Sequence, residues 1–147
     1  MNFRYSFQQI VDLKNNERTQ AEWILSEAMG QLRNEETSLH GLFEQKDSLH
    51  NEMANVSSGS VSISKMLLMQ NYMNHVDQQI ARKHLDVQQA QHVVLKKQEH
   101  LSERMMDEKV WSKAREKAYN QFQSFVAKKE QEALDEMATN RFRRLTY

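Results

Sequence analysis

The chain of 147 residues has no cysteine, no proline and only three glycines. Without cysteine there is no disulfide framework and no thiolate chemistry. Without proline, and with so little glycine, the usual punctuation of chain direction is missing, which excludes a fold of many short elements and favours a few very long helices. An excess charge of one sign is also missing. Twenty Lys/Arg balance twenty Asp/Glu, so the total suggests neither nucleic acid nor a membrane surface as partner. No run of about twenty apolar residues could span a bilayer. The opening MNFRYSFQQI lacks the apolar core of a secretion signal. A soluble, intracellular protein without direct membrane insertion is expected.

Apolar residues are 39% of the chain and charged residues 27%, a composition thin in core formers for one domain of this length. The apolar residues that exist are placed periodically. Phe3, Phe7, Ile10, Lys14, Glu17, Ala21, Ile24 and Ala28 follow spacings of three and four. From Leu25 a register shifted by one takes over: Leu25, Ala28, Leu32, Glu35, Leu39, Leu42, Lys46, Leu49, Met53, Val56. This is a heptad seam with an adjustment near residue 25. A second seam runs through Met66, Met69, Met73, Val76, Ile80, Lys83, Val87, Ala90, Val94, Lys97, Leu101, Arg104, Glu108, Trp111, Arg115, Ala118, Phe122 and Phe125. So narrow a stripe needs only one partner helix.

Between the seams lies NVSSGSVSIS, residues 55–64, the one loop-like stretch. Gly59 is expected to supply a backbone conformation other residues resist, and Ser57, Ser58, Ser60, Ser62 and Ser64 to offer caps. Residues 1–56 carry a net charge of −4 and residues 61–147 one of +4, which suits two helices folded on each other. The expectation is an all-α fold: one coiled-coil domain over 1–147, an antiparallel two-helix hairpin with a longer second helix. Helix one covers about 4–55, the loop 56–61, and helix two about 62–142. Pairing about residue 59 sets Leu49 opposite Met69, Leu42 opposite Val76, Ala28 opposite Ala90 and Phe7 opposite Trp111. The last 25 to 30 residues would then project unpaired, although they hold Ala118, Tyr119, Phe122, Phe125, Val126, Leu134, Met137 and Phe142. Such a segment is a binding surface, a fold-back or a site of self-association.

No catalytic constellation is present. His84, His92 and His100 lie eight apart and turn about 80° from one to the next, and His40, His50 and His75 add no i, i+4 pair. No metal and no cofactor is expected. No phosphate-binding glycine loop occurs, and a two-helix rod has no room for a concave pocket; an enzyme is not expected. Met66, Met69 and Met73 are flexible core filler or an adaptable contact surface near the tip. RFRRLTY, residues 141–147, is a solvated helix end or a docking element for an acidic surface; its three arginines make a weak nucleic-acid signal.

Three stretches in order resemble the flagellar FliJ family. FxxxFQxIxxLK at residues 3–14 resembles the family's opening. The Gly59 loop followed by NYMNHVDQQI at 71–80 resembles its central turn and second-helix start. EALDEMATNRFRR at 132–144 resembles its C-terminal signature. The resemblance implies a non-enzymatic stalk and adaptor of the flagellar type III export apparatus, cytoplasmic and peripheral at the membrane through that apparatus, and a monomer when alone. The partners it implies are the export ATPase FliI, the export gate protein FlhA and export chaperones. It places ATPase contacts on Phe3, Arg4, Phe7, Phe122, Phe125, Arg141 and Phe142, and gate contacts on Leu42, Leu49, Tyr72 and Val76. Two other readings stay open: the cognate stalk of a virulence type III secretion system, and a self-associating structural coiled coil.

Overall fold

Nothing in the sequence interrupts helix formation on either side of the loop, and two helices form there. In the computed structural model, α1 is Gln8–Ser57, 50 residues, and α2 is Ile63–Thr146, 84 residues. Residues 2–57, 59 and 62–146 are described, with the side chains of Ser57 and Thr146 outside that description. The expected caps at Ser58, Ser60 and the Ser57 side chain therefore lie outside the described residues. The fold is all-α, a hairpin whose second helix is the longer.

Helix α1 begins four residues later than expected because its first aromatics are not helical. Asn2–Tyr5 are irregular and Ser6–Phe7 form a turn. The Phe7 carbonyl accepts from the amides of Ile10 and Val11 at 3.0 and 3.1 Å, which opens the first helical turn. Helix α2 opens on Ser62. Its hydroxyl accepts from the Lys65 amide at 3.3 Å, and its carbonyl accepts from Lys65 and Met66. That is the N-cap role expected of a serine here. At the far end Arg143 and Arg144 occupy the last turn, where cations suit the negative end of the helix dipole.

Gly59 departs from expectation. Its φ is not positive, so no left-handed conformation requires a glycine. Its amide donates to the Val56 carbonyl at 3.1 Å, and an added Cβ would meet nothing closer than that same carbonyl at 3.9 Å. The glycine weakens helix continuation through its low propensity.

The chain divides into two compact units, Met1–Thr19 with Ser102–Tyr147, and Gln20–Leu101. In the second, α1 and α2 segments pack antiparallel along the expected seam. All ten positions from Leu25 to Val56 are half-buried, and Met73, Val76, Ile80, Val87 and Val94 are buried. Ala28 and Ala90 line one cleft, as their expected pairing requires. Met66 is exposed.

The register change near residue 25 does not occur. Val11 is 5% exposed, whereas Ile24 is 41% exposed. Val11, Lys14, Arg18, Ala21, Leu25 and Ala28, none of them exposed, join Leu32 to Val56 in one unbroken alternation of three and four, with Ile10 and Glu17 half-buried beside it. Lys14, Ala21 and Ala28 belong to both candidate registers. Arg18 in a core position concealed the correct one.

Charged residues in and beside the seam meet opposite charges across it. Lys83 Nζ lies 2.7 Å from Glu35 Oε2, and Lys46 lies 2.9 Å from Asp77. In the other unit Arg104 lies 3.2 Å from Glu17, and Arg18 pairs with Glu108. Solvent-screened pairs of this kind each contribute little to stability. Their larger effect is selection: a slipped or parallel pairing would leave them beside apolar or like-charged neighbours.

Val76→Ala should cost about 2 kcal/mol, read as a lower urea midpoint, because the side chain is only 1% exposed and its loss leaves a cavity. Leu85→Ala, on the solvent face, should change stability by about 0.5 kcal/mol or less. The hydrogen bond that Lys83 donates to Glu35 Oε2, aided by the charges of Glu35 and Asp86, raises the Lys83 pKa above its ordinary 10.5 against a smaller cost of burial. A raised lysine contributes stability that is complete below the unfolded pKa and is lost as pH rises through the folded one. The difference in urea midpoint between the native chain and Lys83→Met should therefore hold steady up to about pH 10 and shrink above it.

Candidate partner-binding surfaces

The unit that holds both chain ends gathers most of the aromatic residues. In FRYSF, residues 3–7, the rings alternate with Arg4 and Ser6. An extended backbone puts alternate residues on one side, and the burial follows: Phe3 and Tyr5 are half-buried, Arg4 and Ser6 exposed. Phe3 and Tyr5 stack at 6.4 Å and Tyr5 meets Phe7 at 5.7 Å. The row then lies against α2. Phe7 meets Trp111 at 6.1 Å, as the expected pairing requires, and Phe3 meets Tyr119 at 5.2 Å and Phe122 at 5.4 Å. These separations suit edge-on and tilted ring pairs.

Arg115 locks this arrangement. Its guanidinium sits 5.7 Å from the centre of the Phe3 ring, a cation–π distance. Its Nε donates to Gln8 Oε1 at 2.7 Å. Sequence reasoning placed Arg115 in the apolar seam; it is exposed and clasps the N-terminal row from outside. The available signal was the period of two in FRYSF, which a helical reading of that stretch hides.

This packing shortens the uncovered part of α2. The sequence suggested that coverage ends near residue 115. Ala118, Phe122 and Val126 are half-buried, and all described residues from Ala127 to Leu145 are exposed. Phe122 therefore belongs largely to the packed row, while Phe125 is 50% exposed with Lys129 over its ring at 5.7 Å. Phe7 is half covered by Tyr5 and Trp111. Arg4, Arg141 and Phe142 are exposed. The seven residues thus form two sets, a packed aromatic row with Arg4 beside it and an exposed face on the α2 tail.

The four positions expected to touch an export gate lie in the other unit and differ in access. Val76 is buried, and Leu42 and Leu49 are half-buried in the seam. Tyr72 is 45% exposed and its hydroxyl accepts a hydrogen bond from Gln45 Nε2. That bond joins α1 to α2 at the surface. No helix among the described residues is long and apolar enough to cross a membrane.

Known proteins share this plan. A family model described as flagellar FliJ protein matches residues 3–146. A flagellar FliJ protein of Bacillus subtilis is 22% identical over 142 residues, which cover 97% of each chain. Among solved structures, a protein described as a YscO homologue from Chlamydia trachomatis superposes with a TM-score of 0.64 at 19% identity, covering 94% of each chain. At that identity the likeness concerns the fold. The match of the family model over nearly the whole length, on a helical hairpin of the expected proportions, establishes that the chain belongs to the FliJ family.

Proposed function

We propose that this chain is a non-catalytic stalk and adaptor of the bacterial flagellar protein export apparatus, held at the cytoplasmic face of the membrane by its partners. The observation that carries the reading is the unit containing both chain ends. There a packed aromatic row adjoins an α2 tail whose apolar and arginine side chains are exposed. A stalk that enters the ring of an export ATPase such as FliI needs a stiff element with contacts at its tip, and a long helix braced by rings supplies both. Phe125, Arg141 and Phe142 are the proposed direct contacts, with Arg4 beside them. Phe3, Phe7 and Phe122 hold the tip together, and export chaperones are further partners of the adaptor.

For the export gate protein FlhA, Tyr72 is the contact with most support, because its ring is accessible and held by Gln45. Leu42 and Leu49 would act through the backbone positions they fix, and Val76 through packing alone. The family match favours a flagellar system over a virulence secretion system, whose stalk has the same architecture.

ATP hydrolysis by the cognate export ATPase should rise when this protein is added across a concentration series. Phe125→Ala combined with Phe142→Ala should change the unfolding free energy, read from urea titration, by about 0.5 kcal/mol or less and reduce the stimulation at least tenfold. Undiminished stimulation by that variant would remove the tail from the contact, and no stimulation by the native chain would remove the ATPase reading altogether. Tyr72→Ala should weaken FlhA binding by roughly tenfold or more, the scale of an interface aromatic, while sparing ATPase stimulation. An unchanged affinity would sink that site.

A further inference from the structure

The α2 tail carries a second heptad that the intramolecular seam does not explain. Continuing the α1-facing seam from Phe122 by steps of three and four leads through Phe125 to Lys129, Glu132, Glu136, Thr139 and Arg143. These are polar. Two residues out of step, Ala127, Gln131, Leu134, Ala138, Arg141 and Leu145 follow an unbroken alternation of four and three. That offset turns the apolar stripe about 160° around the helix. All six positions are exposed, and Leu134, Met137, Ala138 and Arg141 border a common shallow groove. The stripe has the spacing of a coiled-coil seam and is covered by nothing among the described residues.

The stripe is complementary to itself when reversed. Set antiparallel to a second copy with the two-fold axis at residue 136, Leu134 faces Ala138, Ala127 faces Leu145 and Gln131 faces Arg141. Each layer then pairs a large side chain with a small one, or two polar side chains. On one flank, Glu130 faces Arg144, Met137 faces its own copy, and Arg144 faces Glu130. The only like-charged flank contact is Asp135 with its copy, and Gln131 Nε2 already donates to that carboxylate at 3.0 Å. In a parallel pairing each side chain would meet its own layer, leaving Ala127 on Ala127 and Arg141 on Arg141.

We infer that the exposed face from Ala127 to Leu145 is an antiparallel homodimer seam, occupied by the same segment of a second copy of this chain. The nineteen residues extend about 28 Å, at the low end of stable interface size. The pairing is therefore weak and reversible. It covers Arg141, so any partner that takes this face must first displace the copy. The inference rests on the heptad and the charge pattern and does not depend on the proposed stalk function.

Sedimentation equilibrium of the full chain, from about 1 to about 200 µM, tests it. A monomer–dimer equilibrium is expected. Glu130→Arg alone or Arg144→Glu alone places like charges at both symmetric contacts and should weaken the dimer about tenfold. An equimolar mixture of the two single variants should restore association, because every contact between unlike chains then joins opposite charges. A strict monomer over the whole range overturns the inference. So does a dimer unmoved by either single variant, or a mixture no tighter than its components. The chain has no cysteine, so Met137→Cys places one thiol near the axis. A short bismaleimide should couple it into dimers far more readily than Glu136→Cys, which points outward; equal yields would also overturn the arrangement.

Discussion

The alternation of three and four residues between non-polar positions governs this molecule. It gives each helix one apolar stripe, wide enough for one partner helix and too narrow for a layered core. Among the described residues only a few side chains are buried, all of them apolar, so stability is spread thinly along the seam and no central cluster carries it. Several charged side chains in or beside the stripe meet opposite charges on the facing helix. Glu35 with Lys83 and Glu17 with Arg104 fix which residues face which, a task that interchangeable Leu, Val and Ala side chains perform poorly.

The part of the fold governed by that alternation was readable in the sequence. From Leu25 to Val56, and from Met69 to Trp111, expected and observed seam positions agree residue by residue. Before Leu25 the reading failed at one place. Arg18 occupies a core position through its partner Glu108, and a scan for apolar residues steps around it onto Ile10, Glu17 and Ile24. A cross-helix ion pair cannot be seen until the facing residue is known. Gly59 was misjudged for a different reason: glycine's freedom and glycine's low helix propensity leave the same mark on a sequence.

The candidate surfaces were legible as residue types and not as geometry. Phe3, Phe7, Phe122 and Phe125 stood out as aromatics near the chain ends. Their division into a packed row and an exposed face depends on Asn2–Tyr5 leaving the helical conformation, and a period of two over five residues is too short to outweigh the helical pattern that follows. Arg115 was hidden by the same error, since its clasp over Phe3 needs the extended segment. Tyr72 differs because its exposure follows directly from its position beside the seam.

The narrow stripe also explains how relatives of this chain can differ so widely. Most side chains along both helices face solvent, and substitutions there alter stability little as long as they favour helix. What must persist is the spacing of the seam and the pairing of charges that enter it. As far as stability goes, drift over the remaining surface costs little, so a relative can span 97% of the length at 22% identity. Descent in such a protein is recorded in rhythm more than in residues. Alignments that score identity alone will place its relatives further away than their architecture does.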